Sequence, residues 1–461
     1  MVVQHNMQAA NANRMLNVTT SAQSKSTEKL SSGYRINRAA DDAAGLSISE
    51  KMRKQIRGLD KASSNAEDGV SSVQTAEGAL TEVHSMLQRM NELAVQAANG
   101  TNSDTDRGAI QDEISQLTTE IDRVAETTKF NETYLLKGGN GTKDVYMNGH
   151  DAGLKGTLTD SATTATFKVA AGALDAGKSV TIGGKDYTIG STLDETKALA
   201  KAAKAATNTS FTVDDTKYNV DAAGKITKDG DATEVTVDDI VKTGSKVSYD
   251  GKTLTAADID AATGVDKSDS SVISAAHAVD LMEKELTAAN NIGATKTAAT
   301  AEKAAAYTSK DGVTFNIKKG TAEVADKLSF SLHVGSDADM TNKITVDIET
   351  MNSSYLGIKG LNVNDDSGIA GTYAIDAISD ALQKVSEQRS SLGAVQNRLE
   401  HTIDNLDNVV ENTTTAESRI RDTDMAEEMV NYSKNNILAQ AGQSMLAQAN
   451  QSNQGVLSLL Q

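Results

Sequence analysis

The sequence contains no cysteine, no proline and no tryptophan in its 461 residues, and aromatic residues make up only 3% of it. The absence of cysteine excludes disulfide bonds, thiolate metal ligands and cysteine nucleophiles. With 38% hydrophobic residues, the chain has too few large apolar side chains for one large globular core. We therefore expect stability to come from helix packing and from assembly with other chains.

Basic residues are also scarce, because 45 Lys and Arg stand against 63 Asp and Glu, a formal net charge of −18. This balance disfavours a nucleic-acid partner, since phosphate neutralisation needs clustered Lys and Arg. No segment approaches the ~18 continuous apolar residues of a membrane span, so we expect no membrane insertion. The stretch MVVQHNMQAANANRM at residues 1–15 lacks the features of a cleaved signal peptide. On these grounds alone we expect a cytoplasmic protein, unless export uses an uncleaved signal.

Arrangements of residues that carry chemistry are missing as well. The six histidines are scattered, and none stands in HExxH or another ligand spacing. The carboxylate pairs Asp41–Asp42 and Asp365–Asp366 fit solvated surface or helix-start positions. We identify no catalytic residues and no metal site, and we expect neither enzymatic activity nor a cofactor.

One segment, GALDAGKS at residues 172–179, matches the P-loop pattern GxxxxGK[ST]. A P-loop requires the Lys-Ser pair to open a helix whose N-terminal amides hold phosphate. Here VTIGGKDYTI follows, which predicts a strand and a hairpin, and Asp175 would place a carboxylate among the phosphates. We expect the match to be a coincidence.

Heptad repeats occupy both ends of the chain. From Ile48 to Ala97 the apolar positions step by three or four residues, which predicts a long helix whose narrow seam a partner helix covers. A second run at residues 110–124 follows the breaker NGTNSDTDRG and predicts an antiparallel return. A third run at residues 375–410 has no local partner. One bundle built from both chain ends would give each of the three runs a partner helix.

The middle of the chain, from about residue 138 to 327, changes to Thr, Val, Gly, Asp and Lys with period-two alternation. SVTIGGKDYTI (179–189) and KVSYDGKTLT (246–255) predict tight hairpins. ETKALAKAAKAA predicts a short helix, and KLSFSLHVG with NKITVDIETM predicts a hairpin before the last helices. The predicted fold is mainly α with an inserted β-rich region, in which both chain ends form a long antiparallel helical bundle or coiled coil.

The last 27 residues, NNILAQAGQSMLAQANQSNQGVLSLLQ, contain no charged side chain. Such a tail suits either disorder or burial. Residues 1–60 carry nine basic and five acidic residues, whereas residues 387–461 carry five and ten. Because the two ends should attract each other, we expect the tail to pair with the amino-terminal segment.

Five stretches near the chain ends carry a more specific pattern. They are LSSGYRINRAADDAAGLSI (30–48), LQRMNELAVQAANGTNS (87–103), EIDRVAETTKFN (120–131), SSLGAVQNRLEHTIDNL (390–406) and QAGQSMLAQANQSNQGVLSLL (440–460). Together they resemble bacterial flagellin over roughly the first 138 and the last 90 residues. The middle region is unmatched, as expected for a family whose outer domains vary.

The resemblance implies a structural subunit that polymerises into the helical flagellar filament for swimming motility. It implies paired terminal helices at 1–44 and 417–461, a helical bundle with a β-hairpin at 45–138 and 326–416, and variable outer β-rich domains at 139–325. The implied polymerisation residues of the terminal helices are Met7, Leu438, Ala441, Met445, Leu446, Ala449, Val456, Leu457 and Leu460.

The resemblance also implies partners and a location. The partners are other copies of the chain, the flagellar export apparatus, a secretion chaperone, and the filament cap and hook-junction proteins. The implied location is the secreted, extracellular bacterial flagellum. Two alternatives remain: a hook-filament junction protein, which shares the LSSG region, and a secreted adhesin or enzyme carried by the insertion.

Flagellins are furthermore ligands of an innate-immune Toll-like receptor, and the matching positions here are Arg89, Leu93 and Glu113. We place Leu93 on the helix face opposite seam residues such as Leu87, and expect the intrachain core to leave it free for a neighbouring subunit or for the receptor. Asn91 stands where several strongly recognised relatives carry Arg, which leaves the strength of recognition open.

Overall fold

The computed structural model describes residues 6–206, 208–231, 233–260, 262–365 and 368–458, and for residues 453–458 it describes the backbone alone. The helices are α1 (Met7–Ser32), α2 (Ala43–Ala97), α3 (Asp104–Thr127), α4 (Leu193–Ala205), α5 (Val237–Ile240), α6 (Ala275–Asn290), α7 (Ser353–Leu356), α8 (Ile369–Arg421) and α9 (Met425–Ser458). None of these helices, over the residues described, is long and apolar enough to cross a membrane.

The strands fall almost entirely in the middle of the chain. They are β1 (Lys129–Phe130), β2 (Thr133–Tyr134), β3 (Thr142–Tyr146), β4 (Thr157–Asp160), β5 (Thr164–Val169), β6 (Ser179–Ile182), β7 (Lys185–Ile189), β8 (Ser210–Val213), β9 (Thr216–Val220), β10 (Ile226–Lys228), β11 (Lys246–Tyr249), β12 (Lys252–Thr255), β13 (Val272–Ile273), β14 (Thr300–Lys303), β15 (Val313–Lys318), β16 (Thr321–Ala325), β17 (Leu328–His333) and β18 (Lys343–Ile348). Helical ends and a β-rich middle confirm the predicted fold class.

The chain divides into two compact units, and α2 and α8 contribute residues to both. The first unit takes the described residues up to Ser71, Ser331–Val346, and the described residues from Val395 onward. The second takes Ser72–Phe330 and Asp347–Ala394.

In the first unit, α2 and α8 pack along the predicted seam. Leu59 and Ala62 are buried against Leu406. One step further along the helices, Ala66 and Leu399 form a cluster with residues of the β17–β18 hairpin. A side chain at Gly69 would overlap Leu332 of that hairpin, since its Cβ would lie 2.2 Å from Leu332 Cδ1. The hairpin, which the sequence predicted, therefore lies directly on the helices.

In the second unit, α2 packs against both α3 and α8. The start of α8 lies so close to α2 that a Cβ at Gly371 would approach the backbone nitrogen of Ala98 to 2.8 Å. On the other side, the guanidinium of Arg107 in α3 donates from Nε to the carbonyl of Ala97 at 3.1 Å. That arginine is 3% exposed, so α3 begins against the end of α2.

The described residues of the β-rich middle form two large hydrophobic cores and a smaller cluster around Met147. One gathers β5, β6, β15 and α6 around Phe167 and Phe315, and it includes Tyr373 of α8. The other gathers β8, β9, β11 and α4 around Phe211 and Val247. Each core is closed by residues of the same chain.

The predicted hairpins are confirmed, and their turns have the expected geometry. Strands β6 and β7 are joined by Gly183 and Gly184, with φ of 57° and 69°. Strands β11 and β12 are joined by Asp250 and Gly251, with φ of 49° and 74°. Two successive positive φ angles match the twist of the strands. The predicted short helix is α4, which begins with a capping box between Thr192 and Glu195.

Candidate assembly surface

The two ends of the chain pair as helices α1 and α9, as the charge distribution predicted. Asn6 caps the start of helix α1. Its side chain accepts a hydrogen bond from Ala9 N at 2.9 Å and donates to the carbonyl of Ala449 at 3.2 Å. Gly33 caps the end of the helix in the left-handed conformation, with φ of 75°. The ion pair between Lys29 and Glu428, 3.7 Å apart, joins the far end of the two helices.

The face of α9 that meets α1 includes two small residues at its closest approach. Ala439 is 6% exposed, and a Cβ at Gly442 would lie 3.4 Å from Leu16 of α1. Small side chains allow the helix backbones to approach closely. The sequence prediction missed both residues, although each stands in the first of the repeated octads, where the two are small residues three positions apart.

The solvent-exposed surface of the pair carries large apolar side chains. On α1 these are Met7, Met15 and Val18, and on α9 they are Met425, Met429, Val430, Ile437, Leu438 and Met445, all between 50% and 68% exposed. We call these nine residues the terminal apolar face. Water contact on so many large apolar groups is unfavourable, and such faces mark interaction sites.

The predicted polymerisation residues divide between the two sides of the pair. Met7, Leu438 and Met445 belong to the terminal apolar face, and Ala441 is exposed as well, whereas Leu446 and Ala449 are half-buried. Leu460 lies outside the described residues, as do the side chains of Val456 and Leu457.

The two octads differ in burial because eight residues do not complete whole helical turns. At 3.6 residues per turn, an eight-residue shift rotates a position by about 80°. Leu446 therefore faces a different direction from Leu438, its equivalent in the first octad. One sequence repeat thus supplies apolar residues to both sides of α9.

The segments that connect α1 to α2 and α8 to α9 are bonded to each other. Arg35 N donates to the carbonyl of Arg421 at 2.7 Å, and Thr423 N donates to the carbonyl of Gly33 at 3.0 Å. Between these bonds the ring of Tyr34 lies 4.7 Å from the guanidinium carbon of Arg421. We call this arrangement the connector clasp.

A second arginine and a buried ion pair extend the connector clasp. The guanidinium carbon of Arg53 lies 5.9 Å from the Tyr34 ring. Arg53 Nη2 also donates to Glu417 Oε1 at 2.8 Å, and Glu417 is 9% exposed. The ring thus has cations from α2 and α8 around it, a favourable cation–π arrangement.

The candidate receptor residues do not share one environment. Arg89 Nε donates to Glu113 Oε1 at 2.9 Å, with both side chains about half exposed. The hydrogen bond that Arg89 donates to Glu113 raises the pKa of its guanidinium, and a second one that it donates to Glu92 adds to the shift. Leu93 is only 2% exposed.

The expectation that Leu93 stays outside the intrachain core was wrong. A two-helix seam predicts a narrow stripe, but α2 here packs against α3 on one side and α8 on the other. The buried stripe is wide enough to take Leu93 together with Met90 and Ala94, both 0% exposed. At the predicted receptor positions the structure thus has an exposed ion pair, Arg89–Glu113, and a buried leucine, Leu93.

Residues 172–179 do not have the geometry of a phosphate-binding loop. Ser179 begins strand β6, so no helix N-terminus follows Lys178. The carboxylate of Asp175 accepts hydrogen bonds from the hydroxyls of Tyr307 at 2.9 Å and Ser309 at 2.8 Å. The segment is a structural turn of the β region.

Comparison with known proteins places these features in one family. A model of the bacterial flagellin N-terminal helical region matches residues 3–141, and a model of the C-terminal helical region matches residues 375–460. A flagellin of Clostridium tyrobutyricum is 40% identical over 98% of this chain and 100% of its own. The chain belongs to the bacterial flagellin family.

Other relatives in this family match over the full length too. A flagellin of Bacillus subtilis (strain 168) is 37% identical over 100% of both chains. Flagellin B of Vibrio anguillarum is 35% identical over 99% of both. The similarity therefore includes the β-rich middle as well as the helical ends.

Proposed function

We propose that the chain is a structural subunit that polymerises into the helical bacterial flagellar filament through its terminal helix pair. The observation that carries this proposal is the terminal apolar face, which the chain leaves uncovered and which includes Ile437, Leu438 and Met445 on the part of α9 without charged side chains. Uncharged apolar helices can be buried between copies without stranding a charge. Family membership supports the same function and gives no indication of catalysis.

Assembly through this face produces a filament when the contact is heterologous. The terminal apolar face and the surface that receives it are then different patches of the same chain, and repetition generates an open helix instead of a closed dimer. The full-length relatives carry the name flagellin, which favours the filament subunit over a junction protein.

The domain assignment remains a proposal that follows from this function. Residues 1–44 and 417–461 would form the inner part of the filament, residues 45–138 and 326–416 its helical wall, and residues 139–325 the variable outer part. The pairing of α1 with α9 and the β-region core around Phe211 and Val247, which uses residues of the insertion alone, support these divisions.

Export and location follow from the same family membership. We propose that the flagellar export apparatus and a secretion chaperone handle the subunit before assembly, and that cap and hook-junction proteins contact the filament ends. The filament is extracellular in this proposal. Immunogold labelling of intact cells with antibody against residues 139–325 tests the location.

The proposed assembly is tested by a polymerisation trial on the purified full-length protein. Addition of ammonium sulfate should yield helical filaments visible by electron microscopy, because this salt strengthens apolar burial. A nucleotide-binding measurement on the same protein tests the alternative of an enzyme carried by the insertion. Filaments without nucleotide binding support the proposal, and binding without filaments contradicts it.

As a second function, we propose recognition by an innate-immune Toll-like receptor through the exposed ion pair of Arg89 and Glu113. Both side chains are about half exposed, so they are accessible in the free subunit. Arg89→Ala should weaken binding of the monomer to the receptor ectodomain by about 1–3 kcal/mol, as for an interface arginine. Arg123→Ala, in the exposed Arg123–Glu120 pair of α3, is the matched control.

Leu93 needs a different treatment in that experiment. Because it is buried, Leu93→Ala should destabilise the fold by about 2–5 kcal/mol, and any loss of receptor binding would follow from that damage. A receptor affinity that is unchanged by Arg89→Ala would contradict the proposed contact.

A further inference from the structure

The methionines of this chain are distributed unevenly. Among the described residues, every methionine more than half exposed belongs to the first compact unit: Met7, Met15, Met340, Met425, Met429 and Met445. The methionines that are at most 4% exposed belong to the second unit: Met90, Met147, Met282 and Met351. Exposed thioethers are thus concentrated in one part of the chain.

Five of the exposed methionines lie on the terminal apolar face. Met15 and Met445 line one groove between α1 and α9, of about 670 Å³, together with Gln8 and Gln448. Met429 lines a second groove on α9 beside Val430 and Ile437. The sulfur atoms therefore stand at the surface through which copies of the chain are proposed to pack.

These thioethers are also the residues most open to two-electron oxidation. The sequence contains no cysteine and no tryptophan, so methionine is its principal oxidisable side chain. Thioether oxidation depends on access, and side chains 51–67% exposed offer it. The buried methionines of the second unit are protected by the same argument.

We infer that Met7, Met15, Met425, Met429 and Met445 form an oxidation site that blocks polymerisation of the free subunit. The oxidant is a peroxide or a hypohalous acid, which transfers one oxygen atom to the thioether sulfur. With hydrogen peroxide the sulfur is oxidised to the sulfoxide and the peroxide is reduced to water. A methionine sulfoxide reductase returns the thioether with a dithiol as reductant, which is oxidised to a disulfide while the sulfoxide oxygen leaves as water.

The consequence follows from the polarity of the product. A sulfoxide is a strong hydrogen-bond acceptor, and its burial in an apolar interface without a donor is unfavourable. This inference rests on the proposed function, because the cost arises only when copies pack over the face. Assembled filament should resist the same oxidant, since the interface covers the sulfur atoms.

The experiment treats full-length free subunit and preassembled filament with hydrogen peroxide, removes the oxidant with catalase and maps sulfoxides by peptide mass spectrometry. In the free subunit we expect oxidation at the five methionines and at Met340, with Met90 and Met282 unmodified. Oxidised subunit should then show a critical concentration for polymerisation raised at least roughly tenfold. Reductase treatment should restore the original value.

A matched pair of variants separates the site from general damage. Replacement of the five methionines by leucine, Met7→Leu, Met15→Leu, Met425→Leu, Met429→Leu and Met445→Leu, conserves volume and removes the reactive sulfur. This variant should polymerise equally well before and after peroxide. Met340→Leu, which removes an exposed sulfur outside the terminal helices, should remain as sensitive as the unmodified chain.

Three results would overturn the inference. They are an unchanged critical concentration of the oxidised subunit, an equal loss of assembly in the five-leucine variant, and no recovery after the sulfoxides have been reduced. Should the leucine variant fail to assemble, the reductase arm decides alone. Failure of the untreated chain to polymerise would instead contradict the proposed function.

Discussion

The terminal helix pair and the inserted β region solve the problem of apolar burial in opposite ways. Within residues 142–325, as far as they are described, Tyr146 is the one large hydrophobic residue more than 40% exposed. The terminal helices expose nine such side chains and bury few, among them Ala439. The β region thus completes its cores within one chain, whereas the terminal pair leaves its apolar surface for other chains.

The most severe test of this difference is deletion of residues 435–461. We expect a soluble, helical protein that forms no filaments, because α2, α3 and α8 keep their packing while three of the six α9 residues of the terminal apolar face, Ile437, Leu438 and Met445, are lost. Circular dichroism checks that the truncated protein is helical, and electron microscopy checks that it forms no filaments. Normal filaments from the truncated chain would show that the tail is dispensable for assembly.

A single charge on the terminal apolar face should have the next largest effect. Leu438 is 50% exposed in the subunit, so Leu438→Lys should leave the free subunit folded. A lysine buried without a partner between copies should weaken assembly by about 3–5 kcal/mol per subunit. The control is Ala202→Lys on the exposed side of α4, and equal critical concentrations for the two variants would refute the distinction.

The connector clasp predicts a smaller change. Tyr34→Ala removes the ring that lies between Arg53 and Arg421, and should reduce the free energy of unfolding by about 0.5–2 kcal/mol, the range for such cation–π contacts. Tyr34→Phe keeps the ring and should be close to unchanged. Urea unfolding followed by circular dichroism measures both, and an equal loss in the two variants would assign the effect to the hydroxyl.

The raised pKa of the Asp376 carboxyl in α8 makes the stability of the second unit depend on pH. Burial raises the pKa of the Asp376 carboxyl, His150 opposes that shift, and Asp151 and Asp380 add to it. The folded state then binds the proton more tightly than the unfolded chain does. Stability should therefore rise as the pH falls from neutral through the raised pKa, until the unfolded carboxyl is also protonated.

Replacement of this carboxyl should remove that dependence. Asp376→Asn should raise the thermal midpoint at pH 7 by a few degrees at most, and should flatten its rise towards pH 5. Asp112→Asn, at an exposed position of α3, serves as the control. A midpoint lowered at pH 7 by Asp376→Asn would show that the charged carboxylate stabilises the fold.

Removal of the β region should have the smallest effect on assembly. Replacement of residues 141–325 by a short Gly/Ser linker should permit filaments with a critical concentration within a few-fold of the full chain. Tyr373 and Ile369 of α8 pack in the β-region core, so the deletion should carry Tyr373→Ser and Ile369→Ser to avoid a new apolar patch. A complete loss of assembly would mean that the insertion holds subunits together.

The sequence predicted those parts of the fold in which periodicity or turn chemistry acts locally. The heptad runs in α2 and α8 and the Gly-Gly and Asp-Gly turns each specify their structure within a few residues. The burial of Leu93 could not be predicted in the same way, because it depends on α3 and α8 packing on two sides of α2. The apolar stripe of a single helix predicts the side on which one partner helix packs, and it does not predict a second partner.

The candidate site shows the same limit. The uncharged tail predicted the pairing of the chain ends, and the residues Leu438 and Met445 were identified from their apolar character. Their exposure depends on which residues of α9 meet α1, among them Ala439 and Gly442, and this requires the register of the two helices. The connector clasp joins residues almost 390 positions apart, such as Tyr34 and Arg421. No local sequence pattern predicts such a contact.

Hydrogen–deuterium exchange on the full-length chain, compared between free subunit and filament, tests the central difference most directly. The account predicts that backbone amides of residues 425–452 become strongly protected on assembly, because copies cover the terminal apolar face, while amides of residues 142–325 keep the exchange rates of the free subunit. Unchanged exchange in residues 425–452, with new protection confined to the β region, would contradict it.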